Sequence, residues 1–266
     1  MRFKVDHDFH IHSNLSLCAN DPEQTPERIL RYAKENGLNT ICLTDHFWDE
    51  RIAGASPWYK IQNREHIKKA LPLPKDENVK FLFGAEADMD MYGTIGVTKE
   101  TFDELDFVII PTTHLHMEGF TISPEDSASV ERRAQLWISR LDNLLKQDLP
   151  FKKIGIAHLG CSLMAKNRTD YFAILDMLDT DELMRLFTKA AKLGVGIELN
   201  KANMSFSDSD AEKVLRMFRI AKNCGCKFYL GSDAHTTDYF ANTKETFERA
   251  IDWLELTEDD KFHIEI

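Results

Sequence analysis

Apolar residues along this chain fall into two alternating textures, short continuous runs and longer stretches with a three-and-four repeat. Runs of strand length lie at 3–9, 39–44, 79–84, 106–112, 154–158, 195–199 and 227–231. Several are apolar without interruption and β-branched, as strands buried on both faces are. Between them Val130, Ala134, Trp137, Leu141 and Leu144 recur at helical spacing. Leu183, Phe187 and Ala190 before Gly194 repeat the scheme, as do Val214, Phe218 and Ala221 before Gly225, and finally Phe247, Ile251 and Leu254. Thr25-Pro26-Glu27 has the form of an N-cap followed by a first-turn proline, with Ile29 and Ala33 on the apolar stripe and Gly37 as the stop. The stretch 48–75, rich in Trp, Pro and Lys, reads as a long loop with a helix around 61–70.

Strand–helix alternation without hairpin signals predicts an α/β fold with a parallel sheet. Seven such units fit a closed barrel or an open doubly wound sheet, and the pattern alone leaves both open. With no repeats, low-complexity tracts or Gly/Ser linkers, residues 1–266 are expected to form one domain.

Composition narrows the function more than the fold. Hydrophobic content of 43% and charged content of 29% are those of an ordinary globular protein. The net charge of −11 disfavours nucleic acid as a partner, although a local cationic pocket can still hold a small phosphate. Cys18, Cys42, Cys161, Cys224 and Cys226 form no CxxC pair and suggest neither a disulfide framework nor a zinc finger. Cys42, inside an apolar run, reads as a core residue. The N-terminal residues Met1 to His7 hold no apolar signal core and no segment approaches a membrane span, so the expectation is a cytoplasmic protein with no membrane partner.

The chemistry lies at the strand ends, where parallel α/β folds place their active sites. The runs end in turn on His10-Ile11-His12, Thr44-Asp45-His46, Glu86, His114 with His116 beyond it, His158, Glu198 with Asn200, and Asp233-Ala234-His235. Alternate strand residues share a face, so HxH and DxH can present two side chains to one ion. Imidazole with carboxylate suits zinc, manganese or iron, and a carboxylate such as Glu86 can bridge two ions. Taken singly, each is weak: HxH is a common strand pair, Asp45 fits a helix cap, and His158 fits a satisfied core histidine. Their recurrence at successive strand ends is what points to metal. His7 lies off that rim, and His66 and His263 fall in charged, solvated stretches.

The ordered segments Asp8-Phe9-His10-Ile11-His12-Ser13, Leu43-Thr44-Asp45-His46, Gly84-Ala85-Glu86, Thr113-His114, Ala157-His158 and Gly231-Ser232-Asp233-Ala234-His235 resemble the motifs of the PHP (polymerase and histidinol phosphatase) family from residue 8 to 235. The resemblance implies a distorted (β/α)7, TIM-like barrel and a site of two to three divalent metals that hydrolyses phosphoesters. It implies that His10, His12, Glu86 and Asp233 hold one ion, that Glu86 bridges to a second held by His114 and His158, and that His46 and His235 hold a third with a residue of the first loop. Where many members carry a histidine in that loop, this chain reads Leu17-Cys18-Ala19-Asn20-Asp21, with Asp21 or Cys18 as the replacement.

The resulting expectation is a phosphomonoesterase acting on a small-molecule phosphate ester through a metal-bridging hydroxide, with Glu86, Asp233 and His235 in catalytic roles. Arg168, Lys201 and His116 are the candidate substrate-binding residues, with Lys166 a more surface-like cation. Histidinol phosphate is the first substrate suggested, although no residue in the sequence stands out as a reader of imidazole. The alternatives are a nuclease, which the acidic balance opposes, and a non-catalytic metal-binding regulatory module. An amidohydrolase barrel also begins with HxH, but those barrels have eight strands and run longer.

Overall fold

The computed structural model describes residues 1–265. Eight strand segments alternate with helices: β1 (His7–Ile11), β2 (Thr40–Leu43), β3 (His46–Phe47), β4 (Lys80–Ala87), β5 (Phe107–Pro111), β6 (Ile154–Ala157), β7 (Gly196–Asn200) and β8 (Lys227–Gly231). All pair in parallel in the order β1-β2-β4-β5-β6-β7-β8. β3 continues the position of β2: β2 pairs with the first half of β4, and β3 pairs with Glu86 and Ala87. Seven strand positions therefore carry eight segments, the break falling at Thr44-Asp45.

The sheet nearly closes between β1 and β8, and it does so irregularly. The main chain contributes Asp233 N–H to His10 O at 2.6 Å and His12 N–H to Ala234 O at 3.1 Å. Below these, side chains stand in for strand carbonyls: Leu230 N–H donates to His7 Nε2 at 3.0 Å and Ser232 N–H to Asp8 Oδ1 at 2.9 Å. His7 is thus a buried seam residue that also donates from Nδ1 to Asp6. The fold is a distorted parallel barrel of the TIM-like kind.

The barrel interior is filled by alternate strand residues, Phe9, Cys42, Leu82, Phe107, Ile109, Ala157 and Tyr229, with Phe262 plugging the end opposite the ligands. Gly155 makes this packing possible, since a Cβ there would collide with the rings of Tyr229 and Phe107. Outside, the helices bury the stripes expected from their periodicity. The first, Pro26–Asn36, starts as its sequence predicts: Thr25 Oγ1 accepts from Arg28 N–H at 3.3 Å, and Gly37 ends it in the left-handed region at φ 68°. Residues 48–75 hold two short helices, Pro57–Ile61 and Arg64–Ile67, and a turn of 3-10 helix, Lys68–Ala70, in place of one helix over 61–70. Asn63 explains the break, because its side chain caps the second helix at His66 N–H. The first strand begins at His7 rather than residue 3, and the third apolar run extends to Ala87. No helix among the described residues is long and apolar enough to cross a membrane.

Candidate metal centre

At the C-terminal ends of the strands, eight candidate ligand side chains converge. Among the described residues, three groups place their ligand atoms within 4.8 Å of one another: His10, His12 and Glu86; Glu86, His114 and His158; and His12, His46 and His235. Glu86 divides its two oxygens between the first two groups. Oε2 lies 3.5 Å from His10 Nε2 and 3.3 Å from His12 Nε2, while Oε1 lies 3.1 Å from His158 Nε2 and 4.0 Å from His114 Nε2. Asp233 Oδ1 completes the first group at 3.4 Å from His10 Nε2 and 3.3 Å from His12 Nε2.

Partners behind the rings decide what those nitrogens are. His10 Nδ1 lies 2.7 Å from Glu198 Oε1, an acceptor, so Nδ1 carries the proton. Ser16 Oγ donates to Asp45 Oδ1 at 2.7 Å and must accept from His12 Nδ1 at 2.9 Å. His114 Nδ1 donates to Asp88 Oδ2 at 3.0 Å. Thr113 Oγ1 donates to His158 O at 3.0 Å and so accepts from His158 Nδ1 at 3.2 Å. His235 Nδ1 donates to the carbonyl of Asp233 at 2.8 Å. The rings of His10, His12, His114 and His158 therefore turn a bare Nε2 lone pair toward the carboxylates, His235 keeps its Nε2 bare beside His12 and His46, and His10 Nε2 faces His12 Nε2 at 3.0 Å. His46 Nδ1 sits 3.0 Å from Glu86 Oε2, yet is buried without a hydrogen-bond partner.

Lone pairs and carboxylate oxygens crowded together with no donor between them repel unless positive charge sits among them. A nitrogen–carboxylate set of this kind fits zinc, manganese or iron, and Nδ1–H bonded to a carboxylate, hydroxyl or carbonyl is the usual support of a metal-bound imidazole. The residues present thus fit divalent metals. The acid–base balance shows the same demand for positive charge: burial opposes charge on Glu86 and Asp233, but positive charge on the surrounding imidazoles outweighs it and holds both well below the ordinary carboxylate range. At His10 and His12 burial and the carboxylates compete and the carboxylates win, pulling both rings up. Burial and the nearby His12 push His235 down to about 3, leaving a neutral ring better suited to ligation than to proton donation.

The backbone is shaped around this cluster. His158 and Asp233 adopt positive φ, 27° and 57°, where side-chain-bearing residues are rarely found and where strain commonly marks a functional site. Glu198 holds His158 by accepting its N–H at 2.5 Å. Gly231 leaves room for that carboxylate, because a Cβ there would strike Glu198 Oε1 and His10 Cβ. Asp45 fastens the first loop by accepting from Ser13 N–H at 2.7 Å and Ser13 Oγ–H at 2.6 Å, in a loop-holding role rather than as a helix cap.

Not every residue singled out from sequence joins the cluster. Asp21 is absent from the three groups: its Oδ2 accepts from Thr237 N–H and Oγ1–H, each at 2.8 Å, and its Oδ1 from Glu23 N–H at 2.9 Å. In its place His12 stands with His46 and His235, its ring stacked 4.1 Å from that of His235. Lys201 is buried and donates to Ala241 O at 2.7 Å and to Tyr239 O, so its ammonium anchors the loop after β8. Arg168 pairs with Asp210 at 2.6 Å on a helix N-terminus, and His116 stands edge-on to His114 at 5.3 Å on the exposed rim. His66 is not simply solvated, because its Nε2 bonds Leu15 O at 2.7 Å.

Asp88, Ser16 and Thr113 carried no role from sequence. Asp88 had one signal, its i+2 spacing from Glu86 on the same strand face. Two buried arginines of the helix Val130–Leu144 were also hidden. Arg140 donates to Thr112 O, Asp90 O, Thr121 O and Met89 O at 2.7–3.1 Å, tying together the loops that carry Asp88 and His114. Arg133 does the same for Leu115 O and Met164 O at 2.7 and 3.0 Å.

The PHP domain model matches residues 8–266. The chain belongs to the PHP domain family. A protein of Thermoanaerobacter sp. (strain X514) named probable phosphatase is 28% identical over 209 residues, covering 78% of this chain and 71% of the relative. One of the same description from Vibrio campbellii is 27% identical over 207 residues, covering 76% and 68%. Among solved structures, histidinol phosphate phosphatase from Lactococcus lactis, complexed with zinc, L-histidinol and phosphate, superposes with a TM-score of 0.65 at 16% identity, covering 97% of this chain and 98% of that one. That likeness is one of fold.

Proposed function

We propose that this PHP-domain chain is a metal-dependent phosphatase that hydrolyses a small phosphomonoester at the cluster centred on Glu86. The observation that carries the reading is the convergence of five bare imidazole nitrogens and two carboxylates, with no donor among them, at the mouth of a parallel barrel. Family membership and the relatives named probable phosphatase agree with it. His10, His12, Glu86 and Asp233 would hold one ion, Glu86, His114 and His158 a second, and His12, His46 and His235 a third. Zinc is the first metal to try, because it is present in the L. lactis structure. Bound there, divalent ions supply Lewis acidity, ionising water near neutral pH and neutralising charge that builds on the phosphoryl oxygens.

The protein's own part is arrangement. Glu198, Asp45 through Ser16, Asp88 and Thr113 keep the rings of His10, His12, His114 and His158 in the Nδ1–H tautomer and aim their Nε2 inward. Asp233 and His235, at 24% and 29% side-chain exposure, form the open side through which ester and water enter. Asn200 Nδ2 donates to Asp233 Oδ2 at 3.3 Å and leaves Oδ1 pointed at the histidines. Arg168 and His116, both on the rim, remain the proposed contacts for the ester. Histidinol phosphate is the first ester to test. Phosphate release from p-nitrophenyl phosphate and histidinol phosphate, against shortening of a labelled oligonucleotide, decides the class; oligonucleotide cleavage without phosphate release would reverse it.

A further inference from the structure

A cavity of about 640 Å³ opens between the segments that follow β6 and β7, within the volume range of about 300–1,000 Å³ typical of small-molecule sites. Its floor is Gly160 and Asn203, its wall Tyr171, Phe172 and Phe206, and its edge Arg168. The place is tied to the metal centre by sequence: Gly160 follows His158 by two residues, and Asn203 follows Asn200 by three. Asn203 is 8% exposed and donates from Nδ2 to Gly160 O at 2.9 Å, but its Oδ1 is buried without a partner. A desolvated acceptor with no donor is a cost that a ligand's N–H would remove.

Of the cations at the edge, Arg168 is paired, whereas Lys166 is exposed and has no ion pair among the described residues. Arg168 pairs with Asp210 at 2.6 Å and lies 4.8 Å over the Phe172 ring, and Arg249 lies 4.4 Å over Phe206. The wall itself offers aromatic surface, with one orphan acceptor in the floor and the Lys166 ammonium at the edge. Gly160 keeps that floor open, since a Cβ there would sit in ordinary contact, 3.4 Å from Tyr171 Oη and 3.6 Å from the Asn203 amide.

We infer that this cavity receives the leaving group of the phosphoester, a flat and largely apolar alcohol bearing an N–H that donates to Asn203 Oδ1. The inference rests on the phosphatase reading and deepens it. Two esters of similar size test it: 2-(indol-3-yl)ethyl phosphate carries a ring N–H, 2-(1-naphthyl)ethyl phosphate does not, and neither has a ring nitrogen lone pair for the metals. The wild-type protein is expected to prefer the indolyl ester roughly tenfold in kcat/KM, the worth of one buried hydrogen bond, and Asn203→Leu to bring the ratio near one. Gly160→Ala, whose methyl fits without displacing neighbours, should lower kcat/KM for both esters relative to methyl phosphate. An unchanged ratio in Asn203→Leu, or a wild-type ratio near one, overturns the inference. Calorimetric binding of 2-(indol-3-yl)ethanol to the metal-loaded protein keeps the two readings apart. Binding weakened tenfold by Asn203→Leu, with no ester hydrolysed, retains the cavity as a site and removes the phosphatase. Binding absent or equal in the two proteins, with esters hydrolysed, removes the cavity alone.

Discussion

At His12 the direction of one proton decides whether the ring can serve the cluster. Ser16 fixes it, because its hydroxyl is committed to Asp45 and can only accept from Nδ1. Asp88 does the same for His114 while also accepting from Tyr59 Oη–H at 2.9 Å. Asp88→Asn, which can turn an amide donor toward that ring, is expected to weaken metal affinity by about 10–100-fold with the fold retained, measured by competition with a chelator of known affinity. Glu86→Gln, which removes the one carboxylate shared by two groups, should lower kcat by about 10³-fold or more and reduce the metal content found by elemental analysis. The candidate ligands were legible in the sequence because histidine and acid recur at strand ends in a fixed order. Their supporting atoms were not, since serine, threonine and aspartate are common in loops and acquire meaning only through contacts such as Ser16 with His12. Asp21 shows the reverse error: an acid at the expected place in the first loop, with its carboxylate taken by Thr237 and Glu23.

Elements close this barrel through side chains as much as through strand pairing. The β1–β8 seam needs His7 neutral, because Nε2 accepts from Leu230 N–H. Burial drives the His7 imidazole below its ordinary value of 6.5, outweighing the pull of Asp6. The unfolded chain therefore binds a proton that the folded chain refuses, so this contribution is present above about pH 6.5 and is lost as the pH falls. His7→Phe is expected to destabilise more at pH 7 than at pH 5, as read by urea denaturation at the two pH values; equal losses would contradict the seam role. Arg140 belongs to the same scale. Arg140→Met strands four buried carbonyls and should cost about 3 kcal/mol in the same assay. The seven strand positions and the longer helices were readable from apolar periodicity, as were the caps at Thr25 and Gly37, whereas the short helix Lys99–Glu104 and the helix Arg168–Met177 were not. Closure was not, because no periodicity announces that His7 and Asp8 will replace ladder carbonyls, and the arginines on the inner face of Val130–Leu144 look like ordinary surface charge in sequence.

For the molecule as a whole, metal binding and folding should be linked, since a cluster of acceptors without cations opposes its own assembly. Chelation is expected to lower Tm by several degrees, from about 2.7 kcal/mol lost when metal had been held at a hundredfold excess over its Kd. Differential scanning calorimetry with and without EDTA reads this directly. The overall charge of −11 favours small esters over nucleic acid, because polyanion binding depends on releasing counterions to basic side chains. The central claim is that the cluster around Glu86 is a metal site that cleaves phosphate esters. Its most direct test is the rate of phosphate release from p-nitrophenyl phosphate as zinc or manganese is titrated into metal-stripped protein. The account predicts no release from the stripped protein and a rise that completes between two and three equivalents per chain; full activity in the stripped protein would contradict it.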